Sequence, residues 1–264
     1  MKKLIIFLFF IAVCLFLYGK YLEPTQLEVK EYTLESEKLP IGFNGTKIVH
    51  FSDLLYKNND DLEKLKKLVV LINEQNPDII FFTGDLINKD ISSDEAKIIE
   101  DELNKLNANL YKYAISGDKD NDKSIDILKN TNFIYLNNES SYLFNEDNNP
   151  ILILGGNDLN EESLLKDENI TYDFILTLIH KPDYYDQIKD LNSTFVFAGH
   201  SLGGEINVPF WGPLLKEEGF KKYNLEHYNL DNTDLYISNG IGTGKTTVRI
   251  FNKPSINVYR LISK

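Results

Sequence analysis

The sequence predicts an α/β fold. Short apolar runs of strand length recur along the chain, stretches of helical periodicity separate the first three of them, and each of those three ends in an aspartate-bearing block. Residues 46–51 read as a buried strand. Asn59 or Asp60 then caps a helix whose Leu62, Leu65, Val69 and Ile72 recur at helical spacing, and which stops before Pro77. The next strand is 79–82, the next helix about 93–106, and the third strand 110–115. That order implies parallel strands joined by crossover helices.

Upstream, residues 21–45 place Pro24, Pro40, Gly42 and Gly45 among alternating Leu27, Val29 and Tyr32, the pattern of a stalk leading into an edge strand. Downstream, 151–154, 174–179 and 195–198 are apolar runs of strand length, with a helix expected over 183–191 after Pro182. Residues 235–238, 248–251 and 256–261 read as closing strands of a second sheet packed on the first. The Asn and Asp clusters at 58–61, 118–122 and 145–149 read as solvated loops.

The chain of 264 residues carries a formal charge of -12, which argues against a nucleic-acid surface, because a polyanion needs a concentrated basic face. Phosphate chemistry would need a locally positive site, most simply a metal. The single cysteine, Cys14, lies in the N-terminal apolar run, so the folded part forms no internal disulfide. Lys2 and Lys3 precede that run, residues 4–18, which is short against the roughly 20 residues of a usual span. No small-x-small cleavage pattern follows it. The expectation is a retained single-pass anchor in the cell membrane with everything after Lys20 outside the cytoplasm; secretion after cleavage is the alternative. The chain then divides into the anchor (1–20), a linker with an edge strand (21–45) and one domain (46–264).

Ligands in open α/β sheets collect at the carboxyl ends of strands. Asp53, Asp85 and Asp118 follow three apolar runs, and His180 and His200 terminate two more, with glycines beside Asp85, Asp118 and His200. Three carboxylates and two imidazoles so placed can converge, and divalent cations use such ligands. Each alone is as readily a turn former, a cap or a hydrogen-bonded core residue.

In order and spacing the blocks Phe51-Ser-Asp-Leu-Leu55, Thr83-Gly-Asp85, Ser116-Gly-Asp-Lys-Asp120, Ile179-His180 and Ala198-Gly-His-Ser-Leu-Gly-Gly204 resemble those of the calcineurin-like metallophosphoesterases: D-x-H, G-D, G-N-H-D, H and G-H-x-H-G-G. Glu23-Pro24, Leu27-Glu28-Val29, Ser238-Asn-Gly-Ile-Gly242 and Arg249-Ile-Phe-Asn-Lys-Pro254 are similar to the family's membrane-associated bacterial branch. The resemblance implies a four-layer α/β/β/α sandwich of two mixed sheets and a two-metal site. Four family residues are replaced. Leu55 and Leu202 stand at metal-binding histidines, Asp118 at an asparagine ligand, and Lys119 at the histidine that contacts the phosphate.

By that resemblance one ion keeps only Asp53 and Asp85, while the other keeps Asp85, Asp118, His180 and His200. One divalent ion (manganese, iron or zinc) is therefore expected and a second is not. Lys119 and Asp120 occupy the family's acid dyad. Lysine titrates near 10.4, a poor proton donor at neutrality, though its charge could offset the aspartate cluster where the lost ion would sit. The leading expectation is a degenerate phosphoesterase that binds a phosphorylated small molecule or lipid headgroup with little or no hydrolysis. An active one-metal phosphohydrolase on phosphodiesters or phosphomonoesters, with Asp53 or Asp120 as base, and a metal-free structural or partner-binding domain stay open. The segment 242–247 resembles a nucleotide-binding loop, but Asn239 replaces its first glycine and the residues after it read as strand.

Overall fold

A computed structural model describes residues 1–145, 149–164 and 170–264. Helix α1 (Lys2–Leu17) buries none of its residues and runs on through a wider turn, Tyr18–Leu22, and a tight turn, Glu23–Thr25. Strand β1 (Glu28–Ser36) then enters the domain, followed by β2 (Lys47–Phe51), α2 (Asn59–Glu74), β3 (Ile79–Phe82), α3 (Ser93–Leu103), β4 (Tyr111–Ala114), α4 (Asp122–Asn130) and β5 (Ile134–Tyr135). The second half supplies β6 (Glu139–Leu143), β7 (Ile151–Gly155), β8 (Ile175–Ile179), the short α5 (Tyr185–Ile188), β9 (Phe195–Ala198), β10 (Asn207–Val208), β11 (Gly212–Pro213), β12 (His227–Leu230), β13 (Thr233–Ile237) and β14 (Ser255–Ser263).

These strands build two six-stranded mixed sheets, ordered β1-β14-β2-β3-β4-β5 and β12-β13-β9-β8-β7-β6. Strands β2 to β5 are parallel, as are β7, β8, β9 and β13. Such strands are covered on both faces and read as unbroken apolar runs. In β3 the alternation sorts the run: Ile79 and Phe81 pack between the sheets, and Ile80 and Phe82 against the α2–α3 layer. A third apolar cluster under α5 covers the far face of the second sheet, completing the four layers.

Helices α2 and α3 begin at capping boxes, Asn58 with Asp61 and Ser92 with Glu95. The cluster at 58–61 is therefore a helix start and not a solvated loop. Three other expectations are corrected. The run 256–261 returns to the first sheet, where β14 lies between β1 and β2. Residues 248–251 form no strand beyond a bridge from Ile250 to Ile206, because the buried Arg249 guanidinium gathers the carbonyls of Asn239, Gly240, Gly242 and Asn252 into an irregular knot. The helix expected over 183–191 breaks into tight turns around α5 and ends with Asn192 in the left-handed region. In the 145–149 cluster, residues 146–148 lie outside the described residues.

Candidate metal centre

The carboxyl ends of β2, β3, β4, β8 and β9 meet at one edge of the sandwich and bring Asp53, Asp85, Asp118, His180 and His200 together. Ligand atoms of Asp118, His180 and His200 lie within 4.8 Å of one another, as do those of Asp53, Asp85 and His180. His180 thus belongs to both groups, with Asp118 in one and Asp53 and Asp85 in the other. The loops are held in demanding conformations: Asp53, Asp85 and His200 have φ of 52°, 62° and 64°. Non-glycine residues with positive φ are uncommon and cluster at ligand sites. Gly117 is required for close approach, since a Cβ there would overlap the Asp85 carboxylate and the His180 ring.

Hydrogen bonds fix each side chain. His180 is fully buried; its Nδ1–H donates to the Thr83 carbonyl at 2.7 Å, and its backbone N–H to Asn157 Oδ1 at 3.2 Å. His200 Nε2–H donates to the Glu218 carbonyl at 2.7 Å. With those protons so placed, His180 Nε2 and His200 Nδ1 face each other at 3.3 Å. Two lone pairs cannot be held together bare; a proton or a cation must lie between them. This orientation of imidazoles by backbone carbonyls is how metal-binding histidines are set. Asp85 Oδ1 and Asp118 Oδ2 complete the surroundings, 3.6 Å from His180 Nε2 and 3.8 Å from His200 Nδ1.

Asp53 has a different setting. Its Oδ2 accepts the His200 backbone N–H at 2.9 Å and the Ser52 hydroxyl, so it holds the His200 loop. Leu55 and Leu202 are buried near it, Leu202 and Asp53 both bordering Gly240. Both leucines have positive φ, 52° and 46°, a conformation that bulky side chains seldom adopt. Asp120 spends both oxygens on backbone N–H groups, those of Asp85, Leu86 and Gly117 at 2.7–2.8 Å, which places it as a brace behind the site. Lys119 donates its backbone N–H to Asp85 Oδ1 at 2.8 Å and brings Nζ within 3.4 Å of Oδ2.

Electrostatics follow from these contacts. Burial pushes the Asp53 carboxyl up from its ordinary range. Burial works the same way on Asp85, but the His180 ring and the Lys119 N–H outweigh it and hold Asp85 well below that range. Burial disfavours charge on His180, yet the Asp85 carboxylate raises it to about 9. The acids thus favour positive charge at this point, and a divalent ion bound there would take the place of a proton. The donor set, two imidazoles with carboxylates, fits manganese, iron or zinc. A cleft of about 210 Å³ opens onto Asp85, Asp118, Lys119 and His200, with Glu205 and Lys245 on its walls.

Three contributors are absent from the sequence reading. Lys181 Nζ pairs with Asp118 Oδ2 at 2.8 Å, directly after His180 in the chain. Glu205, buried, accepts from Gly244 N–H and Thr246 and ties the 242–247 loop to the cleft. Asn157 bridges His180 N–H to the Ser116 carbonyl. The strand-end rule that singles out Asp53 would also have found Asn157, which follows the apolar run 151–154 and two glycines.

A sequence model of calcineurin-like phosphoesterases matches residues 46–231. The uncharacterized metallophosphoesterase YkuE of Bacillus subtilis is 32% identical over 93% of this chain and 89% of its own. An uncharacterized metallophosphoesterase of Aquifex aeolicus is 28% identical over 97% of this chain and 99% of its own. The UDP-2,3-diacylglucosamine pyrophosphatase LpxG of Chlamydia trachomatis is 24% identical over 95% and 94%.

Proposed function

Since the chain belongs to the calcineurin-like phosphoesterase family, we propose that it is a membrane-anchored member whose site holds one divalent ion through Asp85, Asp118, His180 and His200 and hydrolyses phosphoesters weakly or not at all. The opposed Nε2 of His180 and Nδ1 of His200, 3.3 Å apart, carry this reading. A bound ion there would supply charge for a phosphoryl oxygen and lower the pKa of a water. Asp118 would add a charged donor, and Lys119, on the cleft wall beside Asp85, would pair with a phosphate oxygen. Weak hydrolysis follows from Leu55 and Leu202, which leave Asp53 and Asp85 short of a second ion, and from Lys119, which carries no proton-donating imidazole.

The all-apolar surface of α1 behind Lys2 and Lys3 supports the anchor, with the domain outside the cytoplasm. For the ligand, one relative is named for hydrolysis of UDP-2,3-diacylglucosamine, a diacylated sugar nucleotide. A phosphorylated amphiphile presented at the bilayer is the class we assign here.

The test is bound metal per chain on the full-length protein in nanodiscs after incubation with manganese, zinc or iron, beside His200→Ala. About one ion per chain, lost in the variant, is expected. No ion, or two, would overturn the reading, and brisk chelator-sensitive hydrolysis of an aryl phosphodiester would overturn the weak-catalysis part alone.

A further inference from the structure

The β10–β11 hairpin carries an apolar surface that none of the described residues covers. Phe210 at its tip is fully exposed and Trp211 is 83 % exposed, with Val208 and Leu214 exposed beside them. The Trp211 N–H donates to the Val208 carbonyl at 3.0 Å, placing Pro209 and Phe210 at the centre of a tight turn. Phe210 has a φ of 67°, at a position where glycine or asparagine is usual. A bulky residue there costs about 1–2 kcal/mol, and its ring is set in water as well. Neither feature suits a merely solvated loop.

The hairpin's base is joined to the root of α1. Asn207 N–H donates to the Ile250 carbonyl at 2.8 Å; one residue earlier, Arg249 N–H donates to Gly19 at 2.9 Å, and Phe251 and Asn252 donate to the buried Glu23 carboxylate. Tyr18 and Asn207 line one cavity. Three extended residues span at most about 10 Å, so the aromatic tip stands close to where α1 leaves the domain. Phe251, which lines that cavity too, is also exposed. At its other end the hairpin reaches the metal centre: Pro213 packs on Gly204, and Leu215 lines the cleft with His200 and Lys119.

We propose that this hairpin is a second membrane contact: Phe210 and Trp211 insert at the lipid–water boundary of the leaflet that α1 enters and seat the mouth of the cleft on the bilayer. Aromatic side chains concentrate at that boundary, where an apolar ring is buried and its polar edge stays wet. A chain of net charge -12 gains nothing from an anionic surface, so apolar insertion into zwitterionic lipid is the mode the hairpin suits. A phosphorylated headgroup then reaches His200 without its lipid leaving the membrane. This inference rests on the anchor reading of α1.

Trp211 is the only tryptophan, so its emission reports on the hairpin directly. The full-length protein is reconstituted with phosphatidylcholine vesicles, and flotation and fluorescence are read on one sample. Expected are flotation, blue-shifted emission, loss of most intensity with brominated-chain phosphatidylcholine, and little quenching by iodide. Flotation with iodide quenching and no bromine quenching would overturn the hairpin contact and leave the anchor standing. Failure to float in carbonate would overturn the anchor and the hairpin with it.

Discussion

His180 Nε2 and His200 Nδ1 stand 3.3 Å apart, and each ring spends its other nitrogen on a backbone carbonyl, that of Thr83 or of Glu218. The two rings come from different strands of the second sheet, while Thr83 belongs to the first. The geometry therefore exists only when both sheets are docked, and whatever cation it holds also holds them together.

Asn157 supports that pair from outside by accepting the His180 N–H and donating to the Ser116 carbonyl. Removing an outer partner of a metal ligand typically costs 10–100-fold in affinity. Asn157→Ala is expected to weaken manganese binding by roughly that factor, with a much smaller loss of thermal stability. Titration calorimetry with unchanged affinity would remove Asn157 from the site.

Asp120 is expected to act through the fold. Its carboxylate accepts three backbone N–H groups, and hydrogen bonds to a charged group contribute about 1.5–3 kcal/mol each. Asp120→Asn keeps one acceptor and turns an NH₂ toward a donor, so we expect a loss of about 2–4 kcal/mol in denaturant unfolding. A variant as stable as the parent would show that the backbone finds other partners.

His50 sets an acid limit. It is fully buried, bonded through Nε2 to the Thr83 hydroxyl at 2.8 Å, with Nδ1 unpartnered among the described residues, and burial lowers its pKa from 6.5 to about 3. Between those values the unfolded chain binds the proton and the folded chain does not. Stability is therefore full above about 6.5 and falls as the pH drops toward 3, by up to about 1.4 kcal/mol per unit. The difference between wild type and His50→Gln should shrink steadily over that window. Parallel pH profiles would place the acid sensitivity elsewhere.

Much of this was legible in the sequence where both faces of a strand are buried. Residues 79–82 and 195–198 are unbroken apolar runs, and their ends fall where the runs end. The five candidate residues could be named because each follows a largely apolar run, although Lys112 interrupts the one before Asp118 and Thr177 the one before His180. What escaped depends on partners distant in the chain. β14 has the composition of any closing strand, and its place between β1 and β2 is set by pairings across more than 200 residues. Helix α4 (Asp122–Asn130), capped by Asn121, was hidden in an Asp- and Asn-rich stretch that reads equally as a loop. Lys181 shows no role until the fold sets it against Asp118, and residues 248–251 look like a strand until Arg249 gathers the carbonyls around it.

Lys119 sets an ammonium against the Asp85 carboxylate. Its Nζ is 3.4 Å from Oδ2 on a half-exposed side chain, so the pair contributes no more than about 1 kcal/mol. Lys119→Ala should lower metal-free stability slightly and raise metal affinity several-fold, because a competing positive charge has gone. An affinity that does not move would mean the ammonium is screened by solvent and offsets nothing.

Leu55 and Leu202 lie at positive φ, a conformation that bulky side chains seldom adopt and that serves no ligation as they stand. The Leu55 N–H is still bonded to the Asp85 carbonyl at 3.0 Å, and Leu202 still borders Gly240 with Asp53. The backbone at both positions already holds positive φ, which histidine adopts more readily than leucine, and histidine is of similar bulk. The double variant Leu55→His, Leu202→His should bind about two ions per chain where the parent binds about one. Chelator-sensitive hydrolysis of an aryl phosphodiester should rise with the second ion, since two metals can stabilise both the attacking and the leaving oxygen. Lys119→His added to that pair should raise the rate further, by the 10²- to 10⁴-fold typical of a positioned acid at most. If the stoichiometry stays at one in a folded double variant, the loops have drifted from ligand geometry, and the positive φ values reflect loop packing alone.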